Sequence, residues 1–433
     1  MLSGWSWRVP LACGLAGLAL GAAAQQAGDT GSAPAAAEAR QGDAAPAAPQ
    51  GLGLGSLPFF PVPEIDVAPL SGVTLGVIPV FLSNNAQGQI EQILAPDIIH
   101  SQYFGWGARW RIFRNPSDDE KFHLVAGAKQ EIEREFDLQY DLGLRRDAPC
   151  SWSLHAMFDR SGTGRFWGFG NASSLQSQAS FIDSQARAEA TAALNLSRAW
   201  QIAYRMRVDS VDIEPNWLDS LPSIQSRFPG INGLDVQAEW QQMLTATYDS
   251  RDSLTVPRSG RRWVGFVGFS RSALEGTNSY SFLGFDGTEL IPAGSGLTVA
   301  AHAGVRYMPD DQSAPFWALS SLGGDRSVIG EALPLRAFPP GRFVDRNVAG
   351  ASLEARTWVR SFHFFDTDLK LELAPFVEAG KVYATLSESP FTRAHVGAGM
   401  GFRFVAMPFV VGYLDVGYGS EGAVVFSGID YPF

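Results

Sequence analysis

Apolar and polar side chains alternate one by one through most of this chain, in runs long enough to matter. Trp200, Ile202, Tyr204, Met206 and Val208 interleave with Gln201, Ala203, Arg205 and Arg207. Ile132, Phe136, Leu138, Tyr140 and Leu142 alternate with Glu133, Glu135, Asp137, Gln139 and Asp141, Arg134 being the one break in the apolar series. Val396, Ala398, Met400, Phe402 and Phe404 alternate with Gly397, Gly399, Gly401 and Arg403. A period of two sends successive side chains to opposite faces of a strand, so each run has one greasy and one wet face. Strands of soluble sandwiches alternate too, but average roughly 5–6 residues. Runs of about 9–11 residues fit a tilted strand crossing a bilayer. Beyond the first 24 residues no apolar stretch approaches the ~20 residues of a spanning helix. The pattern therefore predicts an all-β fold, a transmembrane antiparallel β-barrel, because closure leaves no backbone amide unpaired in lipid.

Composition agrees. Charged residues make up 18% of the 433, below the roughly 25% of ordinary soluble proteins, while aromatics reach 12%. The 45% hydrophobic content excludes disorder, and the glycines follow no collagen period. A net charge of -11 argues against nucleic acid as a partner, since phosphate binding needs concentrated cations.

At the amino terminus Arg8 precedes an apolar stretch from Leu11 to Leu20, and Ala22-Ala23-Ala24 offers a small-residue cleavage site before Gln25. Residues 1–24 read as a signal peptide. Its removal takes Cys13 away and leaves Cys150 alone, so no intrachain disulfide is expected. Residues 25–56, rich in Ala, Pro and Gly, cannot bury enough surface to fold and read as a disordered tail. The barrel is expected over 57–433.

Counting alternating runs from Gly72 to Ala423 gives sixteen strands. Short connections such as Asn195 to Arg198 and Phe404 to Pro408 alternate with long ones, notably Asp159 to Ile182, Val211 to Leu234 and Met308 to Arg346. Short turns on one rim and long loops on the other is the plan of an outer-membrane barrel. The chain ends Asp430-Tyr431-Pro432-Phe433, with Phe433 as a terminal aromatic insertion signal.

Several segments in order resemble the carboxy-terminal barrel of the BamA/TamA-like outer-membrane assembly superfamily, the bacterial surface antigen proteins. Gly164-Arg165-Phe166-Trp167-Gly168-Phe169-Gly170-Asn171 is similar to that family's third-external-loop motif, carried here by Arg165, Phe166, Gly168, Gly170 and Asn171. The stretch from Tyr248 to Gly260, with Asp249, Arg251, Asp252, Pro257 and Gly260, resembles its periplasmic turn after the eighth strand. Leu335-Arg336-Ala337-Phe338 falls in the long connection between the eleventh and twelfth expected strands, where the family keeps an arginine–glycine–aromatic motif. Ala337 stands in place of the glycine.

The resemblance implies a long sixth external loop folded into the barrel. Alternation puts Glu354 on one face with Ser352 and Arg356, and Glu378 on one face with Glu372, so both carboxylates should enter the lumen from adjacent strands. Arg336 with its forked donors could bridge them, Phe338 beside it, as the family's arginine does. Read by itself, Arg336 is equally an exposed loop cation above two carboxylates lining a wet pore. Gly397, Gly399 and Gly401 would leave lumen space for an inserted loop. Gly164, Gly168 and Gly170 lack the following helix that a phosphate-binding loop requires. The six histidines are scattered without zinc-like spacing, so neither metal nor cofactor is expected, and no nucleophile elbow marks an enzyme. His302, on a lumen face with Arg306, could approach Glu354 or Glu378.

The family implies a protein of the Gram-negative outer membrane that assists assembly or translocation of a protein or lipid client. The stretch before the barrel is too short for the periplasmic POTRA modules, so the short, barrel-only form is expected. Outer-membrane lipids and lipopolysaccharide would surround it, and the outer-membrane insertion machinery would assemble it. The alternative is a passive or plugged pore with no assembly role.

Overall fold

The computed structural model describes residues 59–84, 90–117, 119–218, 220–254, 256–273, 278–310, 313–364, 367–388, 392–406, 409–428 and 431. The expected signal peptide, the tail and Phe433 lie outside these residues. The alternating runs become strands, except that Ile132 and Glu133 fall in the turn before Arg134. The first strands are β1 (Phe59–Ala68), β2 (Gly72–Asn84), β3 (Ile90–Leu94), β4 (Asp97–Ser101), β5 (Gly105–Ser117), β6 (Glu120–Lys129) and β7 (Arg134–Leu142). Next come β8 (Cys150–Phe166), β9 (Ala179–Asn195), β10 (Trp200–Pro215), β11 (Gln237–Asp249), β12 (Gly260–Ser272), β13 (Ser279–Pro292) and β14 (Leu297–Asp310). Three short strands follow, β15 (Ser320–Leu322), β16 (Ala332–Leu333) and β17 (Phe343–Asp345). The last five are β18 (Asn347–Phe364), β19 (Thr367–Tyr383), β20 (His395–Ala406), β21 (Phe409–Gly419) and β22 (Gly422–Gly428).

Among the described residues nineteen strands form one sheet, and β15–β17 form a separate three-stranded one. In the large sheet each strand pairs antiparallel with the next along the chain, the ladder stepping from β14 to β18. β3 and β4 both pair with β2 and with β5, so they are one strand broken at Ala95-Pro96. Pro96 has no amide to give the ladder. The meander thus has eighteen positions, and Cα atoms of β1 and β22 come within 8 Å, closing it.

The expected count of sixteen is therefore corrected. The two positions it misses are β1 and the broken strand β3–β4. Proline hides both: Pro61 and Pro63 interrupt β1, which tolerates them at the start of the sheet, and Pro96 cuts its strand into pieces too short to show a period. Both precede the expected motifs, so each later position moves by two. The turn 250–259 follows the tenth position, and the long connection joins the thirteenth (β14) to the fourteenth (β18).

An even number of crossings puts the start of β1 and the end of β22 on one rim, with the turns 143–149, 196–199 and 250–259. The opposite rim carries the longer connections 167–178, 216–236 and the loop before β18. Burial along the strands is inverted relative to a water-soluble protein. The largest fully buried side chains include Arg336, Arg342, Arg356 and Arg403, while Trp110, Trp200, Trp240, Leu244 and Val267 are exposed. Charged groups are almost never buried unless paired, and apolar surface of this extent is stable only against lipid.

This inversion has a direct test. Val267, 51% exposed in the middle of β12, faces outward. Val267→Arg is expected to destabilise the folded barrel in bilayers by about 2–4 kcal/mol, whereas Val267→Leu leaves its unfolding midpoint unchanged.

Candidate functional site

Part of the loop before β18 folds into its own small core. Leu322, Leu333, Leu335, Ala337, Phe338 and Phe343 are buried together with Val348 and Val382 of the wall. The backbone is tied as a turn: Leu335 N donates to Gly324 O (2.9 Å), Gly324 N to Phe338 O (2.9 Å), and Phe338 N to Leu335 O (2.9 Å). Phe338 meets Phe343 edge-on at 5.2 Å and His395 at 5.5 Å. This turn fixes where Arg336 points.

Arg336 is fully buried and makes a fan of charge-assisted bonds. Its Nε donates to Glu378 Oε1 (2.7 Å), and its Nη1 to Glu354 Oε2 (2.6 Å) and Asp415 Oδ2 (3.1 Å). Its backbone N donates to Glu378 Oε2 (2.5 Å), and its guanidinium lies 3.6 Å from the centre of the Phe376 ring. Glu354 and Glu378 come from β18 and β19, paired in register with Ser352 opposite Glu378. Ser352 Oγ donates to Glu378 Oε1 at 3.1 Å. Two further arginines complete the group: Arg356 Nε binds Glu354 Oε1 at 2.7 Å, and Arg403 binds Asp415 and reaches Glu354 at 3.4 Å. Three cations face three carboxylates, all out of water. Burial by itself would lower the pKa of Arg336; the three carboxylates outweigh it and hold it above its ordinary value.

The wall is cut to fit the turn. A Cβ at Gly417 would stand 2.2 Å from the Arg336 carbonyl oxygen, and one at Gly397 would stand 2.3 Å from the Ala337 Cβ. Gly399 and Gly401 face β19 and β21 neighbours instead: their added carbons would meet Phe376 and Asp415. Among the described residues Ala337 is not one of those with positive φ, so alanine sits there without backbone strain.

The other expected residues fall around this loop. Phe166 packs with Phe228 (5.0 Å) and Phe316 (5.3 Å), and Arg165 caps the carbonyls of Gly162 and Gly164. Gly168 and Gly170 hold φ of +95° and +80°, which lets Gly170 N reach Val344 O at 2.8 Å. Asn171 accepts from Val382 N at 3.0 Å and donates back to its carbonyl. That motif thus clamps the loop and β19 together. In the turn 250–259, Arg251 grips both oxygens of Asp249 (3.0 and 2.7 Å), while Asp252 accepts from the amides of Arg258 (2.9 Å) and Ser259 (3.1 Å). Pro257 is buried, and Gly260, at φ +96°, has the Ser250 carbonyl where a side chain would stand. His302, opposite Ser352 in the ladder, pairs with Asp286 at 2.9 Å.

Four residues of the site were not singled out by pattern alone. Asp415 and Arg403 join the network. Arg342 grips both oxygens of Glu421 (2.8 and 2.6 Å) and the Ser173 carbonyl (2.7 Å). Glu331 crosses to the far wall and pairs with Arg207 of β10. Burial favours its neutral form, but Arg207, Arg187 and Arg205 more than offset that and keep it ionised well below the ordinary carboxylate range. For Asp415 and Arg403 the signal available beforehand was a charge on the wet face of a long alternating run; Arg342 and Glu331, in the loop, had none.

The family model described as the Omp85 superfamily domain matches residues 120–418. The structure of BamA from Haemophilus ducreyi lacking POTRA domains 1-3 aligns at 14% identity with a TM-score of 0.50, covering 86% of this chain and 75% of that one. CdiB from Acinetobacter baumannii aligns at 12% identity and a TM-score of 0.42, covering 86% of this chain and 59% of that one. No curated protein sequence matches.

Two substitutions test the network. Arg336→Ala strands buried carboxylates and is expected to cost about 3–5 kcal/mol, read as an earlier loss of the heat-resistant folded band on gels. Gly417→Ala should lower the melting temperature, while Gly265→Ala, with open space around it, should leave it in place.

Proposed function

The chain belongs to the Omp85 superfamily, and on that premise we propose that it assists assembly or translocation of a protein or lipid client at the outer membrane, with the loop before β18 locked in its lumen. Members of the superfamily are barrels of the Gram-negative outer membrane that assemble or translocate other molecules, and this chain is an outer-membrane barrel. The observation that carries the reading is the three-carboxylate grip on Arg336. A loop held only by packing could drift; one held by buried, matched charges has a single favourable seat, because leaving it exposes unpaired ions to a dry site. Such a seat blocks free diffusion through the lumen while keeping a polar interior that a client-driven rearrangement can reopen. Its surroundings would be outer-membrane lipid and lipopolysaccharide, and its own insertion would rely on the outer-membrane assembly machinery.

Charge reversal separates this reading from a passive pore. Arg336→Glu puts four carboxylates against two arginines and is expected to abolish the heat-resistant barrel or open its lumen. Adding Glu354→Arg restores the balance and should recover part of it. In planar bilayers the native protein is expected to give small, flickering currents and Arg336→Glu larger ones. Large, steady openings of the native protein, unchanged by Arg336→Glu, would establish the passive pore.

A further inference from the structure

Below the inserted loop the lumen opens into a cavity of about 500 Å³, roofed by Ile329 and lined by the turns 143–149, 196–199 and 250–259. Six arginines border it (Arg145, Arg146, Arg198, Arg205, Arg251 and Arg262) against two carboxylates, Asp147 and Asp249. In a chain of net charge -11 such an excess of cations is local.

The pairing is uneven. Asp147 serves both Arg198 (2.6 Å) and Arg145 (3.2 Å). Asp249 spends both oxygens on Arg251, and Arg205 reaches Glu189 at 3.5 Å. Arg262 is different: among the described residues it makes no ion pair or hydrogen bond, and its Nε is sealed from solvent without a partner. Arg146 donates to the Arg198 carbonyl at 3.4 Å and has no carboxylate within ion-pair distance among the described residues. Its backbone sits at φ +57°, a conformation few side chains adopt. Asp249 sits opposite Arg262 in the ladder but spends its oxygens on Arg251, so among the described residues neither Arg262 nor Arg146 has a carboxylate in contact. A sheltered guanidinium without a contact ion pair opposes folding, and such residues persist where a ligand completes them.

We propose that this cavity binds a phosphate monoester, with Arg262 and Arg146 taking the phosphate. Two forked donors in search of acceptors suit a group offering three oxygens and about -1.5 to -2 charges at pH 7 better than a carboxylate. The remaining wall has room for a polyol body: Thr191 and Thr245 offer hydroxyls and Gln201 an amide oxygen, while Ser151 and Ser153 already donate to the Gly143 carbonyl and to Asp141. The volume exceeds that of the bare ion, leaving room for a glycerol or hexose. The mouth lies on the rim where β1 begins and β22 ends, so a lipid headgroup or a soluble phosphate ester could reach it. Arg262 and Arg146 lie outside the network of Arg336, and the loop contributes only Ile329 to the lining, so Arg262→Gln probes this site without touching that network.

Calorimetry on the refolded full chain in neutral detergent at low salt tests the proposal, with glycerol 3-phosphate and dihexanoyl phosphatidic acid as probes and dihexanoyl phosphatidylcholine as control. Saturable binding of at least one phosphate monoester is expected. Arg262→Gln should weaken it tenfold or more, Arg262→Lys less, while the Arg262→Gln barrel melts at or above the native temperature because an unpaired charge has gone. Binding of both probes assigns a soluble ester as a sufficient ligand; binding of phosphatidic acid alone assigns a lipid headgroup. Should Arg262→Gln fail to fold, Arg146→Asn, which suits the left-handed backbone, gives the same reading. No saturable binding by either probe, equal binding of phosphatidylcholine, or an unchanged affinity in the variant overturns the site.

Discussion

A guanidinium shut away from water must be answered by negative charge, and in this lumen Arg336 is answered by three carboxylates drawn from β18, β19 and β21. Everything else about the loop follows from meeting that demand. The turn from Leu335 to Phe338 aims the side chain, the aromatic rings of Phe338, Phe343 and Phe376 exclude solvent, and Gly397 and Gly417 remove the side chains that would keep the turn out. Arg356 and Arg403 then bring the group to electrical balance. The stabilisation is conditional: each pair offsets its own desolvation, so the arrangement holds only while every member is present.

The same demand is met at the loop's other contacts. Glu331 reaches Arg207 on the far wall, Arg342 joins Glu421 to Ser173, and Asn171 pairs with the backbone of Val382. Anchors of opposite sign on opposite walls position the loop across the bore instead of along one side. Near the strand-end rim a second grip forms: Arg258 and Tyr431 both converge on Glu372, with Arg356 over the Tyr431 ring at 4.2 Å. The cavity lies at that same rim against β7 to β12, and there Arg262 has no contact ion pair among the described residues.

How much of this could be read in advance depended on whether a feature is written locally. The wet face of β18 was legible because Ser352, Glu354 and Arg356 alternate with Leu353 and Ala355, and Glu378 was legible in the same way. β1 and the broken strand β3–β4 were not, because Pro61, Pro63 and Pro96 read as breakers until their places in the sheet are known. Asp415 and Arg403 were visible as charges on a wet face, but nothing local assigned them to Arg336. Arg342 and Glu331 lie in a loop without periodicity, where no pattern assigns a direction.

The sequence by itself determined the period of two, the length of its runs and the face each charge takes, and with those a greasy exterior around a polar bore. Those properties belong to neighbouring residues and to the geometry of the extended backbone. Only the tertiary structure decided which charges meet. Arg336 and Asp415 are separated by 79 positions, and Arg207 and Glu331 by 124. They become partners because the sheet closes on itself and a loop turns inward, an outcome set by summed pairing across the whole barrel and carried by no single stretch of chain.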